Sequence, residues 1–178
     1  MNQLTPDETL LGLLAAQASH GYQLLACFHD SDELGRVWKL STSQLYAVLK
    51  RLAGQGLITG SEVEAARAPA RVEYELTSAG REQLQTWLYE PSPSASIRRV
   101  RVEFLSRLYV ARLLNLPTIP IVQAQKTACQ QEYETRLAER DRSAPGVGFL
   151  ALELHLAQLA AVLHWIDRCE MSPKEHGT

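Results

Sequence analysis

The chain has 178 residues, with 18 lysines and arginines, 20 aspartates and glutamates, and a formal net charge of −2. This length suits two modest domains, and we expect neither a membrane-spanning segment nor a signal peptide, because no pattern typical of either stands out. Cys27, Cys129 and Cys169 lack CxxC spacing, which predicts a reduced, cytoplasmic protein; one thiol acting as a redox sensor is the alternative.

Two helices are predicted before residue 34. Thr5-Pro6-Asp7-Glu8 has the residues of a capping box with Thr5 as the N-cap, so the first helix should run to about Gln17. A second helix is expected from about Ser19 to Glu33. His20 lies at its start, where a capping or packing role is favoured over a ligand or a base, because no partner residue has suitable spacing.

The segment Lys39–Leu52 is predicted to be an amphipathic helix with two different faces. Four apolar residues recur at helical spacing and predict one buried stripe: Leu45, Val48, Leu49 and Leu52. The opposite face carries hydroxyl groups and lysine, and no acidic residue occurs between Leu34 and Ser61. Such a face suits the phosphates and base edges of DNA. An ordinary solvated face is the alternative for this helix alone.

Two strands predicted after this helix, at Leu57–Val63 and Arg71–Leu76, form a β-hairpin. The segment 64–70 between them is rich in small residues and is predicted to be a flexible basic tip. A helix capped by Thr77 follows. A hairpin directly after a recognition helix is typical of a winged helix, in which the helix enters the major groove and the wing contacts the backbone or the minor groove.

The residues predicted to contact DNA lie at the start of the recognition helix, on its outward face and on the hairpin. They are Lys39, Ser41, Thr42, Ser43, Gln44, Tyr46, Lys50, Arg67 and Arg71.

Six short motifs follow one another in the first half of the chain. They are His20-Gly21-Tyr22, Trp38-Lys39-Leu40-Ser41, Leu45-Tyr46, Leu49-Lys50-Arg51-Leu52, Gly56-Leu57-Ile58 and the run from Tyr74 to Arg81. Together, over about residues 8–90, they closely resemble the PadR family of bacterial transcriptional regulators. The resemblance implies a cytoplasmic, homodimeric repressor or activator, of a kind often released from its operator by a small aromatic or otherwise hydrophobic compound. Family members usually carry proline where this chain has Thr42 and Ala47, so the target sequence is not carried over.

The second half is predicted to be helical after a linker at 91–96, whose composition is rich in proline and serine. A helix with two apolar stripes is expected over 97–116, a polar helix from about Ile121 to Arg142, and a last helix from Phe149 to about Cys169. This pattern is similar to the larger branch of the PadR family, which has a separate helical C-terminal domain.

The last helix carries two apolar seams. The first consists of Leu152, Leu156, Leu159, Leu163 and Ile166, and the second of Leu150, Leu154, Ala157, Ala161 and Trp165. One seam suffices for the core of a three-helix domain, so the other needs a partner chain. We assign the first seam to a homodimer.

The sequence therefore predicts a mainly α fold with a small β-hairpin. Its parts are a winged helix-turn-helix domain at 1–90, the linker at 91–96, a helical dimerisation domain at 97–170 and a flexible tail at 171–178. The predicted function is that of a transcriptional repressor on a palindromic double-stranded DNA operator. The alternative is a winged-helix protein-interaction module without DNA binding.

A small aromatic effector is expected at the junction of the domains, where apolar and aromatic side chains can meet. The candidates are Trp38, Trp87, Phe104, Tyr109 and Trp165, and the alternative for each is that it fills a core. We expect no enzyme activity and no cofactor. We also expect no metal site, because Glu153, His155 and His164 do not share one face of a helix.

Overall fold

The computed structural model describes residues 4–65 and 68–171. Over these residues the chain is mainly α-helical with one small antiparallel sheet, which confirms the predicted fold class. It divides into two compact units, each taken over its described residues. The first contains Met1–Tyr89 and Val102–Pro117, and the second contains Glu90–Arg101 and Thr118–Thr178. The predicted tail, beyond residue 171, lies outside the described residues.

The first two helices differ from their predicted starts and ends. Helix α1 (Asp7–Ala16) has Pro6 as its N-cap and no side-chain cap, so the role predicted for Thr5 is wrong. Helix α2 (Gly21–His29) is capped by His20, whose Nδ1 accepts a hydrogen bond from the backbone N–H of Gln23 at 3.4 Å. The capping role of His20 is therefore confirmed. Helix α2 ends before Glu33, and a 3₁₀ turn follows at Leu34–Arg36.

The recognition helix, the wing and a further helix follow in the predicted order. Helix α3 spans Thr42–Gly54, strand β2 Ile58–Ala65, strand β3 Ala68–Leu76 and helix α4 Ser78–Leu88. The apolar stripe of α3 is buried as expected. Thr77 caps α4 by accepting a hydrogen bond from the N–H of Gly80 at 3.1 Å.

The sheet contains a strand that the sequence did not predict. Strand β1 (Ser19–His20) pairs antiparallel with β3, so that the strand order is β1-β3-β2. In this register His20 faces Glu73, and Ser19 faces Tyr74. A two-residue strand has no readable alternation, which explains why sequence patterning assigned these residues to the start of the second helix.

The helical run after the linker belongs in part to the first unit. It comprises α5 (Ile97–Arg99), a π-helical turn (Val100–Phe104) and α6 (Leu105–Leu113), and α6 packs against α1 and α4. Trp38 Nε1 donates to Ser106 Oγ at 2.9 Å. The compact division thus differs from the predicted boundary at 91–96. The two apolar stripes explain the difference, since a helix that is buried on most sides must pack on more than one neighbour.

The second unit is built on two long helices, α7 (Ile119–Asp141) and α8 (Val147–Met171), which pack against each other. The segment predicted as a linker packs here too: Pro93 is buried, and the backbone carbonyl of Ser94 accepts a hydrogen bond from Gln125 Nε2 at 3.0 Å. Gln125 and Cys129 of α7 are buried beside this contact. The composition of the segment 91–96 predicted a linker, whereas Pro93 and Ser94 pack within the second unit.

Helix α8 also corrects the expectation that no segment could span a bilayer. Residues Val147–Cys169 are long and apolar enough to do so, with a mean hydropathy of 1.5 in a window that is 11% buried. Length and composition alone are weak grounds, because a helix that buries an apolar face against protein passes the same test.

Candidate nucleic-acid interface

Serine and glutamine side chains close the N-terminus of α3. Ser41 Oγ accepts from the backbone N–H of Gln44 at 3.3 Å, and Gln44 Oε1 accepts from the backbone N–H of Ser41 at 2.9 Å. Ser43 Oγ lies 3.1 Å from Ser41 Oγ. This reciprocal capping box satisfies donors that would otherwise be left free at the helix end. Ser41 and Gln44, both predicted to contact DNA, are thus exposed but already engaged within the helix.

The centre of the outward face of α3 is formed by Ser43, Ala47 and Lys50. These three exposed residues lie opposite the buried Leu45 and Leu52, as the period of 3.6 residues per turn requires. In the part of the chain that the structure describes, neither Lys39 nor Lys50 is in an ion pair with a carboxylate. Two exposed, uncompensated ammonium groups therefore lie at the start and near the end of this face, where they attract phosphate.

Tyr46 lies at one edge of this face and packs back onto α2. A Cβ atom on Gly21 would lie only 2.7 Å from the Tyr46 hydroxyl oxygen and 2.8 Å from its ring carbon Cζ. The ring therefore covers the backbone at the start of α2, and its side chain is 48% exposed. Burial and the neighbouring Tyr46 hydroxyl raise the pKa of Tyr74 on β3. Tyr46, predicted to contact DNA, thus joins α3 to α2 and presents only part of its surface outward.

Arg51 lies at the opposite edge and pairs with α1. Its Nε donates to Asp7 Oδ2 at 3.0 Å, and its Nη2 donates to Asp7 Oδ1, which makes the pair bidentate. The Asp7 side chain is 13% exposed. Hydrogen bonding to this carboxylate raises the pKa of Arg51. Arg51 is one of four lysines and arginines between Leu34 and Ser61, a segment without acidic residues. Its ion pair with Asp7 neutralises one of these four positive charges.

The wing is longer and its turn shorter than predicted. Strands β2 and β3 pair as far as Ala65 and Ala68, with an irregularity between Val63 and Ala65. Only residues 66 and 67 separate the strands, and the predicted DNA contact Arg67 lies outside the described residues. Arg71 is exposed on β3, and its Nη1 lies 3.3 Å from His20 Nε2. The structure thus places this arginine beside the start of α2, next to the region that Tyr46 covers.

Four of the five predicted effector residues lie in the first unit, and each has a partner there. Trp38 binds Ser106, and Trp87 lies under the Arg107 guanidinium, whose Cζ is 5.4 Å from the ring centroid. Phe104 is 0% exposed. Burial raises the pKa of Tyr109, and the nearby Cys27 adds to the effect. Trp165 belongs to the second unit and is half-buried.

The predicted dimer seam lies largely inside the chain. Leu156, Leu159 and Ile166 are 5%, 0% and 0% exposed, so they form the core of the second unit, and their assignment to a partner interface needs correction. The other seam is open: Leu150 is 65% and Leu154 is 62% exposed. The sequence showed two seams but could not show which one faces α7, because both have heptad-like spacing.

Sequence reasoning missed the two contacts that bracket the recognition face, Tyr46 on Gly21 and Arg51 on Asp7. A partial signal exists, since both α3 residues lie at the borders of its outward face rather than at its centre. Their partners, which are far away in sequence, could not be read from periodicity.

Comparison with known proteins relates the chain to one family. The family model described as the transcriptional regulator PadR-like family matches residues 10–86. The negative transcriptional regulator PadR of Bacillus subtilis (strain 168) is 27% identical over 172 residues, which cover 89% of this chain and 91% of that protein.

Solved structures of the same relative are also similar. Bacillus subtilis PadR in complex with operator DNA has 21% identity and a TM-score of 0.47, covering 92% of this chain and 94% of that one. Its complex with p-coumaric acid has 23% identity and a TM-score of 0.40, covering 92% of each chain. The match over residues 10–86 coincides with the winged helix described above, so this part of the chain is similar to the PadR-like family, whose members are transcriptional regulators.

Proposed function

We propose that this protein is a cytoplasmic repressor that binds a palindromic DNA operator as a homodimer and is released by a small aromatic compound. The observation that carries DNA binding is the exposed face of α3, which presents Ser43 and Lys50 and has no carboxylate on it. A helix of this kind in the major groove, with the β2–β3 hairpin beside it, is the docking arrangement of winged-helix proteins. We assign Arg71 and Lys39, which are both exposed, to phosphate contacts.

Repression and the aromatic effector rest on the sequence relationship to the Bacillus subtilis regulator. That protein is a negative regulator, and its structures contain operator DNA and p-coumaric acid. We extend these properties to this chain, with the exposed parts of Trp38, Trp87 and Tyr109 as candidate contacts. Phe104 is a weaker candidate, because a side chain that is 0% exposed must first be uncovered.

Dimerisation is proposed through the open face of α8. Val147, Leu150 and Leu154 are 85%, 65% and 62% exposed. A contiguous row of large apolar side chains is unfavourable in water and marks an interaction surface. A second copy of the chain is the proposed occupant, because two-fold symmetry brings the same row from each protomer together and gives two recognition helices for two half-sites.

The test is a mobility-shift titration of the full-length protein with the DNA upstream of its own gene, using a scrambled duplex of equal length as control. The proposal predicts a complex with the upstream DNA at protein concentrations that leave the scrambled duplex free. Equal affinity for both duplexes, or no complex, would support the protein-interaction alternative instead.

The same titration with p-coumaric acid tests release. An effector can weaken DNA binding only to the extent that it prefers the unbound arrangement, and DNA must weaken effector binding by the same factor. We expect tryptophan fluorescence to change and DNA to be released over one concentration range. A compound that changes fluorescence while the DNA affinity stays constant would not be the effector.

A further inference from the structure

The recognition face of α3 is narrower than its sequence suggests. Tyr46 at one edge covers Gly21 of α2, and Arg51 at the other edge is paired with Asp7 of α1. Ser41 and Gln44 cap each other at the start of the helix. What remains at the centre of the face is a single row of three exposed side chains, Ser43, Ala47 and Lys50.

The row has a length that can be compared with DNA. Lys50 lies seven positions after Ser43, which corresponds to roughly 10 Å at a rise of about 1.5 Å per residue. Base pairs in B-DNA are stacked about 3.4 Å apart, so the row faces about three base-pair steps. Ala47 lies in the middle of the row, between a hydroxyl group and an ammonium group.

Ala47 offers only a methyl group to the groove. In the major groove every base presents polar donors or acceptors, and thymine alone adds a C5-methyl group beside its O4 acceptor. Contact between the Ala47 methyl group and the thymine methyl group removes apolar surface from water. The same methyl group placed against a polar base edge would leave that edge without a hydrogen-bond partner. The side chains of Ala47 and of its neighbour Ser43 in this row are both short, which allows the helix backbone to come close enough for this contact.

We propose that Ala47 is a specificity-determining residue that recognises the C5-methyl group of one thymine in each operator half-site. This rests on the proposed function.

The experiment begins with duplexes selected from a random-sequence pool by the full-length protein. Each thymine of a selected half-site is then replaced in turn by deoxyuridine, which removes the C5-methyl group and keeps the base pairing. We expect one position per half-site at which this change weakens binding about fourfold, the effect of exposing roughly one methyl group. Ala47→Gly should bind the thymine and uracil duplexes equally at that position.

Ala53→Gly is the matched control. Ala53 is exposed on the last turn of the same helix, away from the central row, and the change from alanine to glycine costs a helix about the same at both positions. This variant should keep the full discrimination between thymine and uracil. Should Ala47→Gly not fold, Ala47→Ser serves in its place, because a hydroxyl group against the methyl group should also remove the preference.

The outcomes separate this inference from the proposed function. Sequence-specific binding with no uracil-sensitive position, or with the same sensitivity in Ala47→Gly, would overturn the role of Ala47 and leave the repressor proposal standing. Failure of the full-length protein to enrich any sequence from the pool would overturn the proposed function and this inference together.

Discussion

Helices α3 and α8 have the same kind of sequence pattern, but the outward face of α3 is polar and that of α8 is apolar. Each buries one leucine-rich stripe, represented by Leu45 in α3 and Leu159 in α8, both 0% exposed. Outward, however, α3 presents Ser43 and Lys50, whereas α8 presents Leu150 at 65% exposure. The buried stripe therefore accounts only for folding, and the opposite face indicates the partner: a polyanion for α3 and an apolar surface for α8.

The largest effect is expected when charged residues replace the exposed leucines on the outward face of α8. The double variant Leu150→Arg/Leu154→Arg should leave the second unit folded and separate the protomers, because the charges repel in the proposed interface while the α7–α8 core is untouched. Operator affinity should fall at least about a hundredfold with the loss of the tether between two half-sites. Sedimentation and DNA titration measure both effects.

Two further variants control for this change. Ala160→Arg adds a charge at an exposed position of α8 away from the row, so the protein should remain dimeric and keep its affinity. Leu159→Arg places the charge in the core instead and should unfold the second unit. A full-length protein that sediments as a monomer at micromolar concentration would contradict the proposed interface.

The substitution Gly21→Ala should displace Tyr46, which lies at one edge of the recognition face of α3. The new Cβ would meet the Tyr46 hydroxyl oxygen at 2.7 Å, so the ring must move away from α2. Because the clashing atoms lie at the far end of a half-exposed ring, the cost should be at the low end of overpacking, about 1 kcal/mol, partly offset by the better helix propensity of alanine. Operator affinity should fall as the edge of α3 shifts. Chemical denaturation and DNA titration provide the measurements.

A matched change at Gly54 separates the clash from the general effect of adding a methyl group. No atom lies within 4 Å of a Cβ placed there, so Gly54→Ala should be neutral or stabilising. In a double-mutant cycle, Tyr46→Ala should remove most of the cost of Gly21→Ala. If the two substitutions were simply additive, the contact between Tyr46 and Gly21 would not be what positions the helix.

The smallest effect on stability is expected at Glu8, which lies on the outward face of neither α3 nor α8. Burial raises the pKa of Glu8, with a further contribution from the charge of Asp7. Since the folded state holds the proton more tightly than the unfolded one, this group stabilises the protein at low pH. That contribution is lost as the pH rises from the ordinary value of a glutamate through the raised pKa. Glu8→Gln should therefore slightly stabilise the protein at pH 7 and flatten stability over that interval.

The exposed Glu82 of α4 gives the control, since Glu82→Gln makes the same chemical change on the surface and should leave stability unchanged. Denaturation midpoints between pH 4 and 8 compare the variants. Neither substitution should alter operator affinity or assembly, since neither residue lies on the outward face of α3 or α8. A loss of DNA binding in Glu8→Gln would mean that the two faces are coupled to the core of the first unit.

Periodicity predicted the helices and the buried stripe of α3 because burial on one side leaves a regular signal in sequence. It failed where the decisive contact is between distant residues. Strand β1 exists only because Ser19 and His20 meet β3, and the run from Val102 to Pro117 joins the first unit through α1 and α4. The same limit applies to the site. The outward position of Lys50 on α3 could be predicted from periodicity, whereas the ion pair between Arg51 and the distant Asp7 could not.

The most direct test of the central claim is the salt dependence of operator affinity in the wild type and in Lys50→Ala. If Lys39, Lys50, Arg67 and Arg71 of both protomers each neutralise one phosphate, the slope of log affinity against log salt should be about −7. Lys50→Ala should reduce its magnitude by roughly 2, one contact from each protomer, and weaken binding to every sequence. Arg142→Ala, an exposed cation at the end of α7, should leave the slope unchanged. A complex whose affinity does not depend on salt, or a slope that Lys50→Ala does not alter, would contradict the assignment of α3 as the surface that binds DNA.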